Sequence, residues 1–275
     1  MDDVAIDFAR GCAHRLFDLL MEVRQTTEPP FRAREYAGLL GVRDIIQADL
    51  GDLDALLLPL RDGYRVKVNK SHHPLRQNFS IAHEVGHILL QQALRELPTL
   101  SMRDGASHDL SGKVREDMCN MIAAELLMPP APFTKSLRAF GLTMDSIPLL
   151  AKTFETSVPA TARRVVAMAE EPCIALRWKL VVPVRCKDAR PRLEWAWESS
   201  RLKAPSGIKR GLTVSISTTV FDAFLRDSTV AGFESFSLGN IRRPFYIESR
   251  AFGKAPKRYV PYVLSLVFPE RKKKG

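Results

Sequence analysis

Two histidines four residues apart, with a glutamate beside the first, constrain this chain more than any other feature: His83-Glu84-Val85-Gly86-His87, set inside the apolar stretch Phe79 to Leu90. If the stretch is helical, residues four apart stand one turn above each other and both imidazoles point the same way. Two neutral imidazoles on one face make half of a tetrahedral zinc site, and the carboxylate between them can reach a water there as its base. The plainer alternative is a pair of core histidines. Ile81, Val85, Ile88 and Leu89 cover one side of the helix while His83, His87 and Leu90 cover the other. A helix without a polar face is buried, and buried imidazole nitrogens need partners, which a metal supplies.

Zinc held by two histidines wants one more protein ligand and keeps its fourth position open. Lys113 to Met128 reads as a further helix, stopped by Pro129-Pro130. Plotted at 100° per residue, Glu116, Cys119, Asn120, Ala123 and Leu127 share one face, and Glu125 falls opposite beside Met118 and Met121. Glu116 is therefore the expected third ligand, because its face carries residues small enough to sit close to the histidine helix. Asn120, one turn on, can hold the second nitrogen of a ligating histidine or steady Glu116. Asp117, His108 and Asp109 are weaker candidates, and Cys119 reads as core packing. Tyr64, His72, His73, Arg76 and His108 are all within chain reach as stabilisers of developing negative charge.

The rest of the chain sets limits on class. No apolar run approaches the roughly 18 residues needed to span a bilayer, and the acidic start Met1-Asp2-Asp3 is the wrong layout for a secretory signal. Cys12, Cys119, Cys173 and Cys186 are scattered without paired spacing, which reads as reduced thiols in a cytoplasmic protein. The net charge of +10 is unevenly placed: residues 172–275 hold 21 Lys and Arg against 8 Asp and Glu, and residues 1–171 hold 20 against 23. Such asymmetry argues for separate domains. It is compatible with an acidic partner such as nucleic acid, though a solvated basic surface explains it equally. The tail Arg271 to Lys274 reads as disordered.

Hydrophobic spacing predicts a helix over 3–24, ended by Pro29-Pro30, and a short one over 32–40 closing at Gly41. A strand over 45–50 follows, then a hairpin of 55–60 and 64–69 about Asp62-Gly63, giving a small antiparallel sheet. Asp145 to Phe154 and Pro159 to Ala169 read as two helices joined by Glu155 to Val158. Their lengths fit a helix-turn-helix with Arg163-Arg164 on the second helix, but two arginines alone cannot supply a phosphate-binding face, which favours a helical hairpin. Beyond Cys173 the pattern is strand-like, with strands expected over 174–184, 192–198, 212–218, 233–238, 245–249 and 259–268 and a short helix over 220–226. Trp178, Trp195 and Trp197 are candidates for a ligand pocket, or, more commonly, for core and edge packing.

Arg76 to His87, followed by Glu116-x-x-Cys-Asn120-x-x-Ala-Ala-Glu-Leu-Leu-Met-Pro129, resembles the ImmA/IrrE zinc metallopeptidases over about residues 1–170. The resemblance implies Zn2+ held by His83, His87 and Glu116, with Glu84 as the catalytic carboxylate. It also implies a polypeptide substrate, a helix-turn-helix repressor of the Xre type. The expected fold is α+β: a mainly helical HExxH zinc-peptidase domain with a small antiparallel sheet, plus a β-rich α+β C-terminal domain. The divisions are 1–140 for the metallopeptidase, 141–171 for the helix-turn-helix-like pair, and 172–275 for a basic domain of GAF or similar sensor type. The implied function is cleavage of a regulator to switch on a stress or mobile-element response. The alternative is a non-proteolytic transcription regulator that binds protein or DNA through its basic half.

Overall fold

The computed structural model describes residues 3–96, 112–181, 189–253 and 261–271. His108, Asp109, Cys186 and Lys272 to Lys274 lie outside the described residues. The described fold is α+β, with eight helices and two sheets among those residues. The chain divides into two compact units, Met1–Lys135 with Ala151–Ser157, and Ser136–Leu150 with Val158–Gly275. Among the described residues no helix is long and apolar enough to cross a membrane.

The first unit opens with α1 (Asp3–Arg24), whose apolar row Ala9, Cys12, Ala13, Leu16 and Leu20 is buried. The helix α2 (Ala33–Leu39) follows and ends at Gly41, where φ of 79° favours a residue without Cβ. Its start is held by the Glu35 carboxylate, which accepts from Arg32 N–H at 3.0 Å. Three strands come next: β1 (Val42–Ala48), β2 (Ala55–Leu60) and β3 (Gly63–Asn69), in the order β1-β3-β2. The pair β2–β3 is an antiparallel hairpin, but β1 runs parallel to β3, so the sheet is mixed where an antiparallel one was expected. The reason is connectivity: β1 and β3 are separated by β2, which makes the return crossing. The tight turn is Arg61-Asp62, one residue earlier than expected, because Gly63 pairs with Leu60. Gly63 could not carry a side chain, since a Cβ would stand 2.4 Å from Gly41 O.

Val66 and Val68 are fully buried on the central strand, on the layer formed by α3 (Pro74–Glu96). The helix α4 (Gly112–Leu127) packs against both α3 and α1, which explains why it buries residues all round. Glu125, on the face away from α3, is buried with Arg10 Nε 3.6 Å from its Oε1. Tyr36 Oη donates to Leu126 O at 2.8 Å, and Phe31, Phe133 and Phe154 close the remaining core.

The unit boundary cuts α5 (Pro130–Phe140) and α6 (Ser146–Thr153), and the second unit takes in the end of α5, the start of α6, and all of α7 (Val158–Met168). The residue after α6's closing turn, Glu155, has φ of 50°, and Thr156 N–H reaches back to Ala151 O, a helix ending usually built on glycine. A five-stranded antiparallel sheet follows, in the order β5-β4-β8-β7-β6. Its strands are β4 (Ile174–Val181), β5 (Arg190–Glu198), β6 (Val230–Glu234), β7 (Phe245–Phe252) and β8 (Tyr262–Phe268), with α8 (Thr219–Leu225) between β5 and β6. Residues 212–218 form no strand; only an isolated bridge joins Thr213 to Arg192. The strand expected over 233–238 lies at 230–234, because Phe236 and Leu238 leave the sheet to pack on its core.

Alternate residues Ile174, Leu176 and Trp178 of β4 join Val220, Ala223 and Phe224 of α8 in that core. Trp178 Nε1 donates to Ser265 Oγ at 3.1 Å, so the largest side chain of the core has its polar atom satisfied. Trp195 and Trp197 sit on the edge strand β5, half-buried, with Arg163 5.7 Å over the Trp197 ring. Of the two arginines of α7, Arg164 is buried while Arg163 stays exposed beside the Trp197 ring.

Candidate metal centre

The α3 helix needs to approach α4 closely for two residues more than thirty apart in sequence to meet. Gly86 permits it: a Cβ there would stand 3.1 Å from Cys119 Cα and 3.3 Å from Cys119 Cβ. The two small residues, one on each helix, let the backbones touch. This brings the Glu116 face of α4 against the histidine face of α3.

The result is convergence. Glu116 Oε2 lies 3.0 Å from His83 Nε2, and Glu116 Oε1 lies 3.4 Å from His87 Nε2. The two rings stand edge to face with centroids 4.9 Å apart. The imidazoles are half-buried, not fully buried as their all-apolar helix suggested, and the Glu116 side chain is 52% exposed. One side of the cluster is therefore open to solvent.

Asn120 fixes the chemistry of the first ring. Its Oδ1 is 3.0 Å from His83 Nδ1, an arrangement in which Nδ1–H donates and Nε2 keeps a lone pair facing Glu116. Burial pushes the Glu84 carboxyl up from its usual range, the Glu116 charge adding to that and His83 opposing it. The same burial, with His83 and Arg115 assisting, lowers the His87 imidazole, which favours the neutral form. Burial raises the Cys119 thiol to about 12, with Glu116 and Glu84 contributing.

These donors fit a divalent ion. Zinc bonds to nitrogen and oxygen of about 2.0–2.2 Å set tetrahedral ligand–ligand edges of roughly 3.3–3.6 Å; the 3.4 Å contact of Glu116 falls in that range and the 3.0 Å contact a few tenths below it. With both rings neutral and protonated on Nδ1, the two Nε2 atoms and the carboxylate would turn lone pairs toward one another, an arrangement that a cation relieves.

The other polar candidates are held elsewhere. Asp54 Oδ1 is 3.0 Å from His72 Nδ1 and 2.6 Å from Arg76 Nη2. His73 Nδ1 accepts from Leu75 N–H at 3.2 Å, capping the start of α3. Tyr64 lines a separate cavity of about 310 Å³ with Leu57, Pro59, Gln91 and Arg95. Asp117 is exposed. What spacing alone undervalued is Cys119, treated as packing, whose Sγ lies with the two histidine nitrogens in a trio spanning no more than 4.8 Å.

Residues 40–166 match the model of the IrrE N-terminal-like domain, a peptidase family. Among curated proteins, the radiation response metalloprotease IrrE of Deinococcus radiodurans is 29% identical over 198 residues, 68% of this chain and 56% of that protein. The protein of the same name from Deinococcus deserti is 32% identical over 110 residues, 40% of this chain and 38% of the relative. The match to the first of them thus spans little more than half of the relative's length. Among solved structures, a Mycobacterium tuberculosis transcriptional regulator superposes with a TM-score of 0.59 at 14% identity, covering 94% of this chain and 76% of the other. At that identity the likeness is one of fold.

Proposed function

We propose that this chain, whose residues 40–166 match the IrrE N-terminal-like model, is a zinc-dependent endopeptidase. Its substrate is a regulatory protein, an Xre-type helix-turn-helix repressor, whose cleavage switches on a stress or mobile-element response. The carrying observation is the placement of Glu116 at 3.0 and 3.4 Å from the Nε2 atoms of His83 and His87. Its D. radiodurans relative, named a radiation response metalloprotease, supports both the chemistry and the stress setting. The free thiols of Cys12, Cys119 and Cys173 suit a reducing cytoplasm.

In this reading His83, His87 and Glu116 would hold the ion, and the half-exposed side of the cluster would admit substrate. The bound zinc supplies Lewis acidity toward the scissile carbonyl and its attacking water. Asn120 keeps the His83 proton on Nδ1, so that Nε2 remains a donor of its lone pair. Glu84 takes the proton of the attacking water on its carboxylate and delivers it to the leaving nitrogen. Its partial burial makes it a stronger base than a solvated glutamate.

The test incubates zinc-loaded protein with an Xre-type repressor encoded nearby, in parallel with Glu84→Gln and with chelated protein. Glu84→Gln is expected to keep its zinc and to lose at least about a hundredfold in cleavage rate. Cleavage by Glu84→Gln at the wild-type rate removes Glu84 from the mechanism, and cleavage by the chelated protein removes the metal.

A further inference from the structure

The helix that carries Glu116 brings a second, chemically different donor to the same two histidines. Cys119 lies three residues on, and its Sγ and one ring nitrogen each from His83 and His87 are all within 4.8 Å of one another. Its side chain is fully buried. Among the described residues the thiol makes no hydrogen bond. A core cysteine normally points into hydrocarbon, where its weak donor costs little. Here the sulfur is aimed at two imidazoles, held there by the contact of Cys119 with the Gly86 backbone.

From this arrangement we infer that His83, His87 and Cys119 form a soft donor set overlapping the zinc set, which captures thiophilic ions such as Cd2+. Thiolate sulfur binds Zn2+ as well, but its advantage over oxygen grows with the softness of the ion, so Cys119 counts for more with Cd2+ than with Zn2+. Coordination replaces the S–H bond by a sulfur–metal bond and releases the thiol proton to solvent. With Glu116 also present, the captured ion has four protein donors and no open position, the arrangement of a structural rather than a catalytic site. A thiophilic ion therefore blocks the site it occupies. That consequence rests on the proposed peptidase reading; the binding itself does not.

The test is a Cd2+ titration of the metal-free full chain, followed by ultraviolet sulfur-to-cadmium charge-transfer absorption. Wild type, Cys119→Ala, Cys119→Ser and Glu116→Gln are compared. The wild type is expected to develop the band with the first bound ion, and Glu116→Gln to retain it. Both Cys119 variants are expected to lose the band and to bind Cd2+ about tenfold more weakly or worse, with a smaller loss for Zn2+. The serine variant preserves size and polarity at the Gly86 contact, so it covers the case in which alanine disturbs folding. A wild type without the band, or a band of undiminished strength in both Cys119 variants, overturns the inference, the latter assigning the sulfur to Cys12 or Cys173. Because absorbance and affinity are read without turnover, this outcome is separable from failure of the peptidase reading.

Discussion

One cluster of charged side chains in each unit can be set against the other, and the two are built on opposite logic. In the second unit, Arg271 donates to Glu171, lies 3.5 Å from Glu248 Oε1, donates to Leu142 O at 3.2 Å, and stacks on Phe268. Glu248 in turn accepts from Met144 N–H at 2.7 Å. Every acceptor there faces a donor. In the first unit, two imidazole nitrogens converge on one carboxylate, and in the neutral Nδ1–H form all of them would offer lone pairs. Alternating donors and acceptors close a network and lock a fold, while convergent acceptors call for a cation from outside. The contrast separates structural charge from functional charge without reference to motif.

The strongest way to break the contrast is to remove one convergent acceptor. His87→Ala should weaken Zn2+ binding by more than about a hundredfold, beyond what an outer-shell group contributes. Its counterpart, Arg271→Met, should leave Zn2+ affinity unchanged while costing about 1–3 kcal/mol of stability through the carboxylates it strands. Competition with a chelator and urea unfolding measure the two quantities. Loss of zinc binding in Arg271→Met would erase the distinction.

Asn120→Ala sharpens the first cluster. It frees His83 Nδ1 from its acceptor and should cost about tenfold to a hundredfold in Zn2+ affinity with unfolding little changed. Asn120→Asp should recover most of that loss, since its carboxylate still accepts from Nδ1–H.

A smaller effect is expected at the helix contact. Gly86→Ala gains up to about 1 kcal/mol in helix propensity, but its Cβ meets the Cys119 backbone, and overpacking of this kind costs about 1–3 kcal/mol. The net expectation is a loss of about 1 kcal/mol by denaturant unfolding, with Zn2+ affinity reduced because Glu116 is displaced. A stabilised variant with intact affinity would show that the two helices have room to spare.

The smallest is a pH slope in the second unit. Burial raises Glu248, with Met144 N–H and Arg271 opposing the rise. An acid whose folded pKa is raised contributes stability that is present below the ordinary carboxylate value and lost as pH climbs through the raised one. The stability of wild type relative to Glu248→Gln should therefore decline as pH is brought from the acid side toward neutrality. A difference that grows with pH would mean that Arg271 outweighs the cost of burial.

How much could be read in advance depended on sequence distance. The helices α1, α2 and α4 and the β2–β3 hairpin follow from spacing and turn residues, with ends within a few residues of expectation, while α3 extends five or six residues beyond the apolar stretch 79–90 at each end. The parallel run of β1 against β3 was not legible, since nothing local distinguishes a parallel from an antiparallel neighbour. Residues 212–218 carry strand-like composition yet form none, because the sheet order is completed by other segments. Spacing put Arg163 and Arg164 side by side on α7 but could not show that Arg164 is buried while Arg163 stays exposed over the Trp197 ring.

The sequence by itself determined that His83 and His87 share a helix face, that Glu116, Cys119 and Asn120 share another, and that Glu125 does not. Those relations follow from the rotation of 100° per residue in any α-helix. Only the tertiary structure decided that the two faces meet, that Asn120 takes His83 and not Glu116, and that Cys119 reaches the histidines as well. The physical reason is range: helical periodicity is set by neighbouring peptide units, whereas the approach of α3 and α4 is set by how closely Gly86 and Cys119 allow two backbones to pack.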